Sequence, residues 1–184
     1  MKRSATTALI TLICGAYLIQ QLDPSLQDRL LFINSALMAD GQVHGVANGE
    51  WYRIFTVALT HGGLMHLGFN MYGLLVLGTP IEAAFGRYKF LAIFFISLVT
   101  GSLASFFLNP VNQPSVGASG ALFGLFGAMA VVGKRIGADV KSIVVIIGIN
   151  FAMAFVLPGI DWHAHLGGLV GGVIASTIVL RKKV

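Results

Sequence analysis

The chain has 184 residues, 56% of them hydrophobic and 10% charged, with a mean hydropathy of +0.84. A water-soluble domain is about a quarter charged, so this composition excludes an ordinary globular enzyme and describes a polytopic membrane protein. The net charge of +5 is scattered between apolar runs, which reads as membrane topology and not as a nucleic-acid footprint, and the single cysteine, Cys14, leaves no internal disulfide or cysteine metal cluster.

In chain order, Lys2 and Arg3 precede a first apolar run, residues 5–22. That pattern begins like a signal peptide, but no small-x-small cleavage site follows. Ile13 is also too bulky before Cys14 for a lipoprotein site, so a retained first span is expected, with no soluble accessory domain ahead of it. Further apolar stretches cover residues 54–77, 90–108, 116–133, 142–158 and 163–180. About 20 residues cross the hydrocarbon core, so six spans are expected, forming one domain over residues 1–184. The connection 23–53 is too polar to span, yet pieces such as Leu30-Leu31-Phe32-Ile33 suit short helices in the interface. It closes with Glu50-Trp51-Tyr52-Arg53, where the aromatics suit the headgroup zone and Arg53 suits lipid phosphates. With six spans, Lys2, Arg3, Arg87, Lys89, Lys134, Arg135, Lys141, Arg181, Lys182 and Lys183 share one side, and only Arg29 and Arg53 lie opposite. The positive-inside rule then puts both termini in the cytoplasm.

The chemistry-bearing residues gather near the opposite, external ends of the spans. Pro114-Ser115-Val116-Gly117-Ala118-Ser119-Gly120 opens the fourth span and sets Ser119 at a helix N-terminus. Free backbone N–H groups there can hold an oxyanion. His66 and Asn70 of the second span are four apart and share a helix face; they serve either as glue between helices or as groups lining a polar cavity. The sixth span contains His165 and two small-xxx-small faces, Gly168 with Gly172 and Gly167 with Gly171, and the fourth contains Gly120 and Gly124. Close packing through such faces would bring His165 to Ser119, making an activated nucleophile. No carboxylate lies within a span near either residue, so a dyad without a third acid is expected. Ser119 N–H, Asn70 and His66 are the candidate oxyanion donors. His163, two residues from His165, points elsewhere on a helix.

His66-x-x-x-Asn70, Gly117-Ala118-Ser119-Gly120 and Ala164-His165-x-x-Gly168-x-x-x-Gly172, in this order, resemble the motif set of the rhomboid family of intramembrane serine proteases. Glu50-Trp51-Tyr52-Arg53 resembles that family's tryptophan–arginine motif, and Glu82-x-x-x-Gly86 its element after the second span. The resemblance runs from about Glu50 to Gly172. It implies a six-transmembrane-helix bundle, all-α, with the serine at the start of a shortened fourth helix. It also implies Ser119 as nucleophile, His165 as general base, and His66 and Asn70 in the oxyanion site. Loop 23–53 would be embedded in the membrane beside that site. One departure is Phe123, where many members carry a tyrosine packed on the histidine.

The expected activity is therefore endopeptidase cleavage in or near transmembrane segments of other membrane proteins. The expected partners are those substrates and the bilayer, with no nucleic acid, cofactor or metal, and the expected location is a bacterial cytoplasmic membrane. A catalytically silent relative that escorts membrane proteins would share the fold but would ordinarily lack the Ser119 and His165 pair. A small transporter would explain the buried His and Asn, but no second intramembrane charge or internal repeat accompanies them. Glu82 is expected to be structural, satisfied by the following loop, an arginine or free N–H groups. The fifth span is expected to form the mobile wall of a lateral entrance. Phe151 and Phe155 would pack on the second span, with a hinge at Leu157-Pro158-Gly159.

Overall fold

A computed structural model describes residues 4–156 and 159–180. Its helices are α1 (Ala5–Leu22), α2 (Ser25–Leu30), α3 (Arg53–Thr56), α4 (Leu64–Phe85), α5 (Arg87–Leu108), α6 (Ser119–Val132), α7 (Val140–Val156) and α8 (Trp162–Val179). A two-residue hairpin, β1 (Ala36–Leu37) with β2 (Val43–His44), lies between α2 and α3. The helices α1, α4, α5, α6 with its trailing 3-10 turn, and α8 are each at least 18 residues long and apolar enough to cross a membrane; α7 is apolar and one residue shorter, at 17. The protein is an all-α membrane bundle.

The second long helix differs from expectation. It starts at Leu64 and runs to Phe85, and not over residues 54–77. Ile54, Val57 and Ala58 are buried inside the connection between α1 and α4, so composition alone could not separate them from the span. At the other end, Pro80 sits inside the helix. Ile81, one residue later, is fully buried.

Helices α1 and α4 are antiparallel; the start of α1 is tied to the end of α4, and the end of α1 to the turn that precedes α4. The Glu82 carboxylate accepts hydrogen bonds from Ser4 Oγ (2.8 Å), the Ala5 N–H (2.6 Å), the Thr6 N–H (2.8 Å) and Thr6 Oγ1 (2.7 Å). The N–H groups that satisfy Glu82 thus belong to the start of α1 and not to the loop after α4. An anion there complements the positive end of α1. At the opposite end, Gln20 Nε2 donates to the Leu59 carbonyl (2.9 Å).

The connection from α1 to α4 is ordered by a buried arginine. Arg53 is 1% exposed; its Nε donates to Glu50 (2.6 Å), and one terminal nitrogen donates to the carbonyls of Asp28 (2.8 Å) and Leu31 (2.7 Å). It therefore staples the connection and does not reach toward lipid phosphates, while Trp51 and Tyr52 beside it remain exposed. Phe32 and Ser115 pair through both backbone groups (3.0 and 2.8 Å), joining this connection to the segment that leads into α6.

Helix α8 lies between α5 and α6 at backbone contact. A Cβ on Gly168 would fall 1.9 Å from the Gly120 carbonyl oxygen, and one on Gly172 would fall 2.0 Å from that of Gly124. On the other face, a Cβ on Gly167 would fall 2.6 Å from the Thr100 carbonyl oxygen, and one on Gly171 would fall 1.9 Å from Thr100 Oγ1. Lipid offers no hydrophobic drive between helices, so this close packing itself supplies the association.

Candidate active site

Ser119 is the first residue of α6, and α6 is short, 14 residues against the 22 of α4 and α5. Its start is set by Gly117, whose φ of 108° favours glycine and turns the chain into the helix. The Gly117 N–H donates to the Val57 carbonyl (3.0 Å), tying the turn to the connection between α1 and α4. As the first helical residue, Ser119 has an N–H with no acceptor inside the helix.

His165 is in the first turn of α8. The Asp161 carboxylate caps that turn by accepting the Ala164 N–H (2.9 Å), and it is anchored to α5 by a hydrogen bond from the Ser105 hydroxyl. With the glycine faces fixing the depth of α8, His165 Nε2 lies 2.9 Å from Ser119 Oγ. Phe123 stacks on the imidazole, centroids 4.1 Å apart and planes 10° apart. The contact expected of the family's tyrosine is therefore made by a ring without the hydroxyl. His165 Nδ1 is buried and has no hydrogen-bond partner among the described residues. Asp161, the nearest acid in sequence, is used on the helix cap.

His66 and Asn70 line the other side of the Gly117 turn. A Cβ on Gly117 would fall 2.8 Å from His66 Cε1, 2.9 Å from His66 Nε2 and 3.9 Å from Asn70 Oδ1. Asn70 Nδ2 donates one hydrogen to the His66 carbonyl (2.8 Å), while its Oδ1 is buried without a partner among the described residues. His66 and Asn70 therefore meet the turn that leads into Ser119, and Ser119 in turn meets His165. His163 turns away, bonding Asn109 Oδ1 and packing its ring on Trp162 at 3.7 Å.

Several neighbours were not singled out from sequence. His61 is 1% exposed and packs edge-on against His66, centroids 5.1 Å apart. A cavity of about 10 Å³ beside Ser119 is lined by the hydroxyl residues Ser102, Ser105 and Ser115. That volume is about the size of one water molecule. The signal for the first two was serine within the apolar run of α5. Phe151 of α7 meets Phe123 at 5.1 Å and the His165 ring at 6.5 Å, so it faces the centre of the site and not the second span. The Phe155 side chain and the proposed hinge at Leu157-Pro158 lie outside the described residues.

The comparisons with known proteins agree with this architecture. The family model described as "Rhomboid domain" matches residues 48–182. "Rhomboid protease GluP" of Bacillus subtilis is 41% identical over 139 residues, covering 71% of this chain and 26% of that protein. "Putative rhomboid protease YdcA" of the same organism is 35% identical over 144 residues, covering 76% of this chain and 72% of that protein. "Inactive RHOMBOID-like protein 8" of Arabidopsis thaliana is 35% identical over 144 residues, covering 73% and 40%. The matched domain extends over most of the described bundle and includes every residue of the Ser119 site, and so the chain belongs to the rhomboid family of intramembrane serine proteases.

Proposed function

We propose that this chain is an intramembrane endopeptidase that hydrolyses peptide bonds in or near transmembrane segments of other membrane proteins through a Ser119–His165 dyad. The observation that carries this reading is the 2.9 Å contact between His165 Nε2 and Ser119 Oγ at the N-terminus of α6. The Ser119 hydroxyl donates its hydrogen to Nε2, which requires the neutral imidazole to keep its proton on Nδ1. As Oγ attacks the scissile carbonyl, Nε2 takes that proton and later gives it to the leaving amine. The developing oxyanion accepts hydrogen bonds from the Ser119 N–H and from His66 and Asn70, whose side chains border the Gly117 turn. Water for hydrolysis of the acyl-enzyme has a hydroxyl-lined cavity beside Ser119.

The distribution of basic residues supports a bacterial cytoplasmic membrane location with both termini in the cytoplasm and the site toward the external face. Residues 1–184 act as one rhomboid-like domain, with the connection 23–53 flanking the site. The test is cleavage of a single-span reporter by the purified protein in proteoliposomes. Ser119→Ala and His165→Ala are each expected to abolish it while leaving thermal unfolding unchanged, because a dyad acts as a unit. Cleavage by Ser119→Ala at the wild-type rate would refute the nucleophile, and no cleavage by the wild-type protein would favour the silent-relative reading.

A further inference from the structure

In the proposed mechanism His165 must hold one orientation without help from a carboxylate. Its Nε2 contact with Ser119 fixes one point of the ring, and Phe123 fixes the plane. The χ1 and χ2 rotamer that sets this pose is held by packing, because Nδ1 is buried with no hydrogen-bond partner among the described residues. Phe151 supplies a further surface. It stands nearly perpendicular to both rings, 76° to Phe123 and 83° to His165, so it meets the stacked Phe123–His165 pair edge-on. Such aromatic pairs are directional, which lets packing replace a hydrogen bond as an orienting device.

Phe151 comes from α7, whereas Ser119 and Phe123 lie on α6 and His165 on α8. It is thus a contact from the fifth span to the base. Resting on the dyad proposed above, we infer that Phe151 is a positioning residue for His165, so that the base is competent only while α7 is seated against α6 and α8. This reverses the effect expected of a simple entrance plug. A plug trimmed to alanine admits substrate faster, whereas a positioning ring trimmed to alanine leaves a disoriented base.

The two are separated by a substrate that needs no lateral entry. Labelling of Ser119 by a small fluorophosphonate reports how well His165 activates the serine, and single-span reporter cleavage reports entry and chemistry together. Phe151→Ala is expected to slow labelling about tenfold, lower reporter kcat by a similar factor with little change in KM, and leave Met153→Ala, on the exposed part of α7, as an unaffected control. Phe151→Tyr keeps the ring and is expected to restore most of the rate. Should Phe151→Ala fail to fold, Phe151→Leu, which keeps apolar volume without the ring edge, carries the same expectation at matched thermal stability. Labelling of a folded Ala or Leu variant at the wild-type rate, or faster reporter cleavage by it, would overturn the positioning role. Ser119→Ala and His165→Ala, run alongside, test the dyad separately, because their failure to abolish labelling would indict the dyad and not Phe151.

Discussion

Replacing Glu82 tests whether one carboxylate holds the first span to the second. Its four hydrogen bonds come from Ser4, Ala5 and Thr6, three of them to a single oxygen. Hydrogen bonds to a charged group are worth about 1.5–3 kcal/mol each in favourable cases, but four on one half-buried carboxylate are not additive. Water can replace part of what is lost, since Glu82 is only partly buried. Removing a helix cap costs about 0.5–2 kcal/mol, and losing a charge at a helix N-terminus about 0.3–1 kcal/mol more. Glu82→Ala is therefore expected to destabilise the bundle by about 1–3 kcal/mol. Glu82→Gln can keep the three bonds to one oxygen by facing its carbonyl toward Ser4 and Thr6, but its amide then opposes the Ala5 N–H. Its cost should be about 1–2 kcal/mol. The assay is unfolding of purified variants in mixed micelles with rising SDS, read by circular dichroism. Ser119 labelling per folded molecule is expected to stay at the wild-type rate, because the contacts lie on α1. Wild-type stability in both variants would refute the capping argument, and loss of labelling in folded protein would refute the separation of Glu82 from the site.

The other predictions concern the site, the helix interface and the connection between α1 and α4. Asn70→Ala and His66→Ala are expected to lower kcat by roughly 10²–10³ without abolishing reporter cleavage, since the Ser119 N–H remains; unchanged kcat in both would make these residues packing glue. Gly168→Ala places a Cβ 1.9 Å from the Gly120 carbonyl oxygen, so α8 must move off α6. A cost of about 1–3 kcal/mol and a large loss of Ser119 labelling are expected, and a wild-type melting curve with full labelling would contradict the packing. In the connection between α1 and α4, His44 bonds Glu50 (2.7 Å) and Asp40 (2.9 Å), with Arg53 on the far side of Glu50. Hydrogen bonds to Glu50 first and Asp40 second raise its pKa above the ordinary value of 6.5. Its stabilisation is therefore full below that value and lost as pH rises through the raised one. Amide exchange in the hairpin, corrected for intrinsic rate, should show weaker protection at pH 9 than at pH 6, and His44→Gln should remove the difference; a pH-independent wild-type hairpin would refute it.

The membrane class, most of the spans and the family were legible in the sequence because each rests on local chemistry. A run such as residues 90–108 is apolar for a full membrane thickness, and α5 runs from Arg87 to Leu108. The ordered motifs around His66, Ser119 and His165 named the family because their spacing within each helix is rigid. Distances between helices are another matter. Ser119 and His165 are 46 residues apart, and their 2.9 Å contact exists only because the Gly168 and Gly172 backbone packs against Gly120 and Gly124. Glu82 announced from sequence that a helix C-terminus disfavours an anion, but only the antiparallel docking of α1 supplies Ser4, Ala5 and Thr6 as its donors. The segment 54–59 is largely apolar in either setting, so hydropathy could not tell a span from a loop core; the fold buries Ile54, Val57 and Ala58 there and starts α4 only at Leu64. Phe151 lies on a uniformly apolar helix, where the sequence carries no mark of which face meets lipid and which meets protein. The rotation of α7 about its own axis turns that ring toward His165, and rotation is set by the neighbours a helix packs against.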